Sequence, residues 1–263
     1  MSEIMLPIII VSVIGLIAGL GLAIASIVMA VPKDEKAEQI EEILPGANCG
    51  ACGYSGCSGY ALALSQGKAQ PGLCSPGGEE VAKQTSEILG VEGAEMVKKA
   101  AVVHCNGTCE NTKDSMIYQG IDSCLAASLM YGGKGECTYG CLGFGDCVKA
   151  CEFGGISIVN GVSVIDMNKC KGCQACKEVC PKNLISIVEV KKQAIVRCSN
   201  HDKGAKAVKA CKVSCIGCMM CVKACEFGAI KVENFVAKVD SSKCTGCGEC
   251  VKVCKRNCIE IIE

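Results

Sequence analysis

Residues 211–229 read CKVSCIGCMMCVKACEFGA, and within them Cys215, Cys218, Cys221 and Cys225 follow the spacing C-x2-C-x2-C-x3-C. Residues 137–155 read CTYGCLGFGDCVKACEFGG, with Phe144 where the later copy has Cys218. Thiols this close in sequence compete for one disulfide partner, so they make a poor disulfide framework. As thiolates they make a good clamp for one metal centre. The chain has 26 cysteines in 263 residues, yet no Trp, four Phe and five Tyr. Aromatic core is scarce, so metal–thiolate bonds are expected to supply cohesion that side-chain packing does not.

An earlier segment, NCGACGYSGC, opens a second pattern: Cys49, Cys52, Cys57 and Cys74, spaced C-x2-C-x4-C-x16-C. Four thiolates in one compact segment can close a zinc site or hold a [4Fe-4S] cluster. Gly50, Gly53, Gly56 and Gly59 let the backbone wrap a bulky centre and point amides at its sulfurs. The setting beside other cysteine runs favours the cluster.

The elements that must position these thiols come from an internal repeat. Moved by 74 residues from about residue 124 onward, the chain matches itself without a gap. Cys124 falls on Cys198, Cys137 on Cys211, Cys141 on Cys215, Cys147 on Cys221 and Cys151 on Cys225. Cys170, Cys173, Cys176 and Cys180 fall on Cys244, Cys247, Cys250 and Cys254. Such a duplication means two copies of one structural unit. Between Cys151 and Cys170 lie two alternating strands about an Asn-Gly turn, and after Cys180 comes LISIVEV. Each copy reads as Cys loop, short helix, hairpin, Cys loop, short helix, strand.

That order resembles the bacterial two-cluster ferredoxin domain, in which the fourth cysteine of each run ligates the other cluster. For the second copy the resemblance implies one cluster on Cys215, Cys218, Cys221 and Cys254, and another on Cys244, Cys247, Cys250 and Cys225. The family usually has Pro after the fourth cysteine; here only Cys180 is followed by one, Pro181, while Glu152, Glu226 and Lys255 stand elsewhere. In the first copy Cys151, Cys170, Cys173 and Cys176 hold one cluster by the same reading. The other lacks the ligand at Phe144, and Cys137 is expected to replace it beside Cys141, Cys147 and Cys180. A three-iron cluster with three ligands is the rival. Five clusters are thus assigned. A sixth is expected on Cys105, Cys109, Cys124 and a later cysteine such as Cys198, with ordinary buried thiols as the plain alternative. Cys211 and Cys258 are left without a role.

The first 31 residues differ from the rest. Leu6 to Val31 carries no charge and, as a helix, would reach roughly 39 Å, more than the hydrocarbon core of a bilayer. It reads as a permanent transmembrane anchor rather than a signal peptide, because it opens with Glu3 and no basic residue. Gly15 and Gly19 could pack on a neighbouring helix or be ordinary membrane-helix glycines. Lys33 and Lys36 follow it, which puts the bulk of the chain in the cytoplasm. Residues 33–44 read as a charged stalk, and 79–103 as an amphipathic helix interrupted near Gly90 and Gly93. The fold class is therefore α+β, divided into an anchor (1–32), a small [4Fe-4S] module (33–78), a spacer with extra cysteines (79–134) and two tandem ferredoxin-like units (135–196 and 197–263).

Function follows from the clusters. A string of iron–sulfur centres passes single electrons. There is no G-x-G-x-x-G after a strand and no P-loop, and His104 and His201 are the only histidines. No residue is assigned bond-making catalysis, and no nucleic-acid partner is expected. One membrane helix, then NCGACGYSGC, then repeats containing YGCLGFGDCVKAC, closely resembles the B subunits of Rnf complexes in their long, cysteine-rich form. That resemblance implies a membrane complex that oxidises reduced ferredoxin and couples electron flow to sodium or proton export. In bacteria the acceptor is usually NAD; in some methanogenic archaea it is a cytochrome and a membrane phenazine carrier. The alternative is an electron-transfer subunit of another membrane redox enzyme, such as a hydrogenase or dehydrogenase. Charge adds a hint. Residues 191–263 hold 14 Lys/Arg against 7 Asp/Glu, and residues 33–130 hold 7 against 13. A basic distal unit suits the docking of an acidic ferredoxin.

Overall fold

The computed structural model describes residues 2–28, 34–91 and 96–263. Lys33, the last apolar residues 29–31 and Gly93 of the spacer lie outside them. Helix α1 (Ser2–Val28) contains one stretch, Ile8–Ser26, with mean hydropathy 2.8 and none of it buried. It is long and apolar enough to cross a membrane.

The first compact body is built from α2 (Glu35–Ile43), α3 (Cys57–Ser65) and α4 (Gly78–Leu89). Asp34 caps α2, its Oδ1 accepting from the N–H of Lys36 and Ala37 at 3.1 and 3.3 Å. The expected stalk is no stalk: Ile40 and Leu44 drop off α2 into a core with Tyr60, Ala61 and Leu64 of α3. Period-3.6 apolar residues among the charges give α2 a face to bury, and each such side chain contributes about 1.5–3 kcal/mol. The spacer is equally engaged, since α4 buries Ala82, Thr85 and Ser86 and ends at Gly90 in the left-handed conformation.

Two ferredoxin-like units follow. In the first, β1 (Lys99–Val103) pairs antiparallel with β4 (Ile185–Glu189), from Lys99 opposite Glu189 to Val103 opposite Ile185. Hairpin β2 (Ile156–Val159) and β3 (Val162–Ile165) turns on Asn160 and Gly161, both with positive φ. Short helices α5 (Cys124–Leu129), α6 (Asp146–Lys149) and α7 (Ala175–Glu178) carry cysteines. The second unit repeats the plan. Its β5 (Gln193–Val196) pairs with β8 (Ile259–Ile262), and β6 (Ile230–Glu233) pairs with β7 (Val236–Val239). Its helices are α8 (Gly204–Ala210), α9 (Met220–Ala224) and α10 (Glu249–Lys252).

These pairings move two expected boundaries. β1 lies in the stretch read as spacer but closes the first unit, and β5 lies before residue 197 but closes the second. The physical reason is that β4 and β8 each need an edge partner for their backbone, and the strand just upstream supplies it.

Each core is mixed aliphatic and cysteine. Val103, Ile156, Val162, Leu184 and Ile185 pack with Cys105, Cys147 and Cys176 in one unit. Val196, Ile230, Val236 and Ile259 pack with Cys215, Cys221, Cys250 and Cys258 in the other. His104 joins the units. Its Nδ1–H donates to Val196 O of β5 at 2.8 Å, and its Nε2 accepts from Ser186 Oγ of β4 at 2.6 Å. Burial holds this imidazole below its usual pKa, which favours the neutral ring with its proton on Nδ1 toward Val196 O. Its ring also walls a cavity of about 570 Å³ between the units.

Candidate metal centres

In the first body, Cys49, Cys52 and Cys57 surround Cys74, whose thiol is pushed up by burial and then by those three neighbours. Asn48 Oδ1 accepts from Cys57 N–H at 2.8 Å and fastens the glycine-rich loop to the start of α3. Gly56 (φ +119°) lets the loop pass, because a Cβ there would sit 2.8 Å from that oxygen. Tyr60 donates to Gln70 O at 2.8 Å and accepts from Leu73 N–H at 3.2 Å, which fixes the approach of Cys74.

In the second unit Cys221 has Cys215, Cys218 and Cys254 as thiol neighbours, and Cys250 has Cys244, Cys247 and Cys225. In the first unit Cys176 has Cys170 and Cys173 as thiol neighbours, then Cys147 and Cys151. These groupings cross between the two cysteine runs of each unit, as the ferredoxin resemblance implies. Main-chain donors reach the sulfurs: Gly155 N–H to Cys151 Sγ at 3.3 Å, Ala101 N–H of β1 to Cys170 Sγ at 3.2 Å, and Ala194 N–H of β5 to Cys244 Sγ at 3.4 Å. The edge strands therefore do more than close the sheets; each aims an amide at a thiol.

The Phe144 site departs from expectation. Cys147 is surrounded by Cys141, Cys124 and Cys180, and these four thiols line one small cavity. The residue that fills the gap is Cys124, not Cys137. Phe144 is half-buried under the insert, edge-on to Tyr118 at 5.3 Å, with Lys134 Nζ 5.7 Å above its ring. Asp146 draws the insert in: its Oδ2 accepts from Ser123 Oγ at 2.8 Å and from Leu125 N–H at 3.2 Å, on either side of Cys124. Sequence proximity favoured Cys137, but the insert between β1 and residue 137 folds back across the site.

Cys137 belongs to another group. Burial raises the thiols of Cys105, Cys198 and Cys211, and Cys137 lies among the thiol neighbours of all three. A Cβ on Gly107 would stand 3.5 Å from Cys105 Sγ and 3.8 Å from Cys211 Sγ. Asn200 Nδ2 reaches Cys137 Sγ at 3.5 Å. These four cysteines come from both units and meet between them. Lys182 Nζ, bonded to Thr138 O at 2.7 Å and to Gly132 O, holds the Cys137 loop. Thr112 Oγ1, bonded to Ala210 O at 2.8 Å, ties the insert to the end of α8. The expected set of Cys105, Cys109, Cys124 and Cys198 is thus broken up. Cys109 is exposed, its N–H on Asn160 O at 2.9 Å and its thiol against Gly161 of the hairpin turn.

The signal missed lies in AVVHCNG (101–107) against AIVRCSN (194–200). Cys105 and Cys198 each follow a closing strand by two residues, and each thiol accepts from the N–H two residues on, Gly107 at 3.4 Å and Asn200 at 3.5 Å. The structural counterpart of Cys198 is Cys105. Cys124 fell on it only because the insert shifts the register.

The donor sets fit iron–sulfur clusters. Burial above all pushes Cys105 and Cys176 up to about 12, and Cys147, Cys198 and Cys221 up to about 11. Buried thiolates this close repel one another, and a cationic centre reverses that balance. A zinc tetrahedron draws sulfurs to about 2.3 Å of one atom, whereas a cubane offers a separate iron to each thiolate.

Thiol groups of this kind, on cysteine loops beside paired strands, define a ferredoxin-type iron–sulfur protein that binds [4Fe-4S] clusters. Family models agree: an Fe-S cluster model matches residues 44–76, a 4Fe-4S binding domain residues 163–186, and a 4Fe-4S dicluster domain residues 214–258. Full-length comparison is more specific. The chain is 44% identical over 260 residues to the B subunit of the Na(+)-translocating ferredoxin:NAD(+) oxidoreductase complex of Acetobacterium woodii, covering 98% of this chain and 78% of that one. It is 38% identical over 244 residues to the B subunit of the proton-translocating ferredoxin:NAD(+) oxidoreductase complex of Clostridium ljungdahlii, covering 92% and 86%. With the B subunit of the ion-translocating oxidoreductase complex of Methanosarcina acetivorans it shares 37% over 231 residues, 88% of each. The chain belongs to the B subunits of Rnf-type ion-translocating oxidoreductase complexes, and it is an iron–sulfur electron-transfer protein of such a complex.

Proposed function

We propose that this protein takes single electrons from reduced ferredoxin at its basic second unit and relays them through six [4Fe-4S] sites to partner subunits at the membrane. Bound clusters supply the one-electron chemistry; the chain sets their order. The six ligand sets are Cys49, Cys52, Cys57 and Cys74; Cys151, Cys170, Cys173 and Cys176; Cys124, Cys141, Cys147 and Cys180; Cys105, Cys137, Cys198 and Cys211; Cys215, Cys218, Cys221 and Cys254; and Cys225, Cys244, Cys247 and Cys250.

The observation that carries this reading is the pair of amide bonds on either side of the intermediate group. Cys141 N–H donates to Cys105 Sγ at 3.4 Å, and Cys215 N–H donates to Cys198 Sγ at 3.2 Å. A ligand of each unit is thus one hydrogen bond from a ligand of the group between them. At the membrane end, Cys49 of the first body is a thiol neighbour of Cys173. The groups therefore form a line with two tandem two-cluster units in its distal part.

Entry at the second unit is supported by exposure and charge. Cys218 is exposed beside exposed Met219 and Met220, whereas its counterpart position holds Phe144 under the insert. Lys203, Lys206, Lys209 and Lys212 are exposed along α8 and its flanks, and Lys206 pairs with Asp202 at 2.8 Å. An acidic ferredoxin would be steered to such a face. Relatives named as ferredoxin:NAD(+) oxidoreductase subunits support ferredoxin as donor. Helix α1 would anchor the chain with its cluster domains on the cytoplasmic side, Lys36 following it there. Iron and sulfide analysis of anaerobically purified protein tests the reading. Six sites require about 24 iron atoms per chain. A zinc-only protein, or one holding iron for only a single pair of clusters, would overturn it.

A further inference from the structure

Cys258 stands outside all six sets, yet its thiol lies 3.6 Å from Cys254 Sγ. It is 2% exposed, its thiol also shares a side-chain hydrogen bond with Cys215, and it packs in the core with Cys221. The backbone leaves it little freedom. Asn257 N–H closes a turn on Cys254 O at 3.1 Å, and Cys258 O accepts from Arg197 N–H at 2.7 Å. Arg256 bonds through Nη2 to Cys211 O at 3.0 Å and through Nε to Ser214 O at 3.3 Å, which ties the same turn to the loop leading to Cys215.

The repeat supplies a control. The position equivalent to Cys258 in the first unit is Leu184, also 2% exposed, after the same turn from Asn183 N–H to Cys180 O at 3.0 Å. An aliphatic side chain therefore satisfies the packing, and the sulfur is an addition peculiar to the second unit. That unit also has exposed ligand positions at Cys218, in the same set as Cys254, and at Cys247, places where solvent and oxidants reach a cluster.

We propose that Cys258 is a reserve ligand for the iron held by Cys254. The inference rests on reading Cys215, Cys218, Cys221 and Cys254 as one cluster site. In the exchange one iron–sulfur bond to Cys254 breaks and one to Cys258 forms. The proton of the Cys258 thiol passes to the Cys254 sulfur, and no electron is gained or lost. The short gap between the sulfurs lets side-chain rotation make the swap while the backbone stays in place.

Three variants of the full chain, purified anaerobically with its complex, test this by iron content and electron paramagnetic resonance. Cys254→Ala is expected to keep its four-iron cluster, whereas Cys180→Ala, with Leu184 beside it, loses iron or shows a three-iron signal. Cys254→Ala combined with Cys258→Ala is expected to lose that cluster. If Cys254→Ala loses iron as Cys180→Ala does, or fails to fold, the reserve role is overturned. If the double variant keeps every four-iron cluster, the reading of Cys254 as a ligand is what fails. A transplant gives an independent check: Leu184→Cys in the Cys180→Ala background should restore the four-iron cluster, and a persistent three-iron signal would count against the proposal.

Discussion

The amide N–H of Cys215 donates to the sulfur of Cys198 across 3.2 Å, and the same bond recurs between Cys141 and Cys105 at 3.4 Å. Under the proposed ligand sets, each bond joins a ligand of a ferredoxin-like unit to a ligand of the group between the units. Hydrogen bonds to cluster sulfurs favour the reduced form, because reduction adds negative charge to them. On that proposal the two bonds both connect and tune the centre of the line.

Cysteine substitutions separate the two roles that sequence spacing confused. Cys124→Ala should remove or convert one cluster of the first unit, seen as lost iron or a three-iron signal. Phe144→Cys in that background should restore four irons if the loop still follows the ferredoxin path. Cys137→Ala should spare that cluster and strike the intermediate one. The opposite pattern would return Cys137 to the Phe144 site.

What was legible in the sequence was the local grammar. The runs ending at Cys180, Cys225 and Cys254, the Asn160-Gly161 hairpin and the alternating strands read directly, because spacing and turn chemistry act over a few residues. The intermediate group did not read, because its four cysteines come from 105, 137, 198 and 211 and meet only once two units pack. The stalk misreading has a similar cause. Charges at Glu35, Glu38, Glu41 and Glu42 mask the one face on which Ile40 is buried.

His104 should behave as a clamp. His104→Ala removes the bonds to Val196 O and Ser186 Oγ, both part-buried, a cost of about 1–3 kcal/mol. Thermal bleaching of the visible iron–sulfur absorbance should move to lower temperature, with the iron content of freshly purified protein unchanged. An unaltered bleaching temperature would mean that the units are held by other contacts.

Folding should depend on the clusters. Cysteines occupy the cores of both units beside short strands, so iron removal leaves closely set thiols and little aliphatic packing. Circular dichroism after complete chelation under oxidising conditions should show loss of native secondary structure. Retention of the native spectrum in iron-free protein would refute this.

Reversing Lys203, Lys206, Lys209 and Lys212 to Glu should slow reduction by ferredoxin at low ionic strength, and the difference should shrink as salt is added. Equal rates at low salt would move the docking site off α8.

The most direct test of the line of centres is rapid-freeze electron paramagnetic resonance of the complex during reduction by ferredoxin, in wild type and in Cys137→Ala. With the intermediate cluster lost, the second unit should be reduced at the wild-type rate, while the first unit and the module at Cys49–Cys74 should lag far behind. Unchanged reduction of the first unit in a variant shown to lack the intermediate cluster would contradict the account.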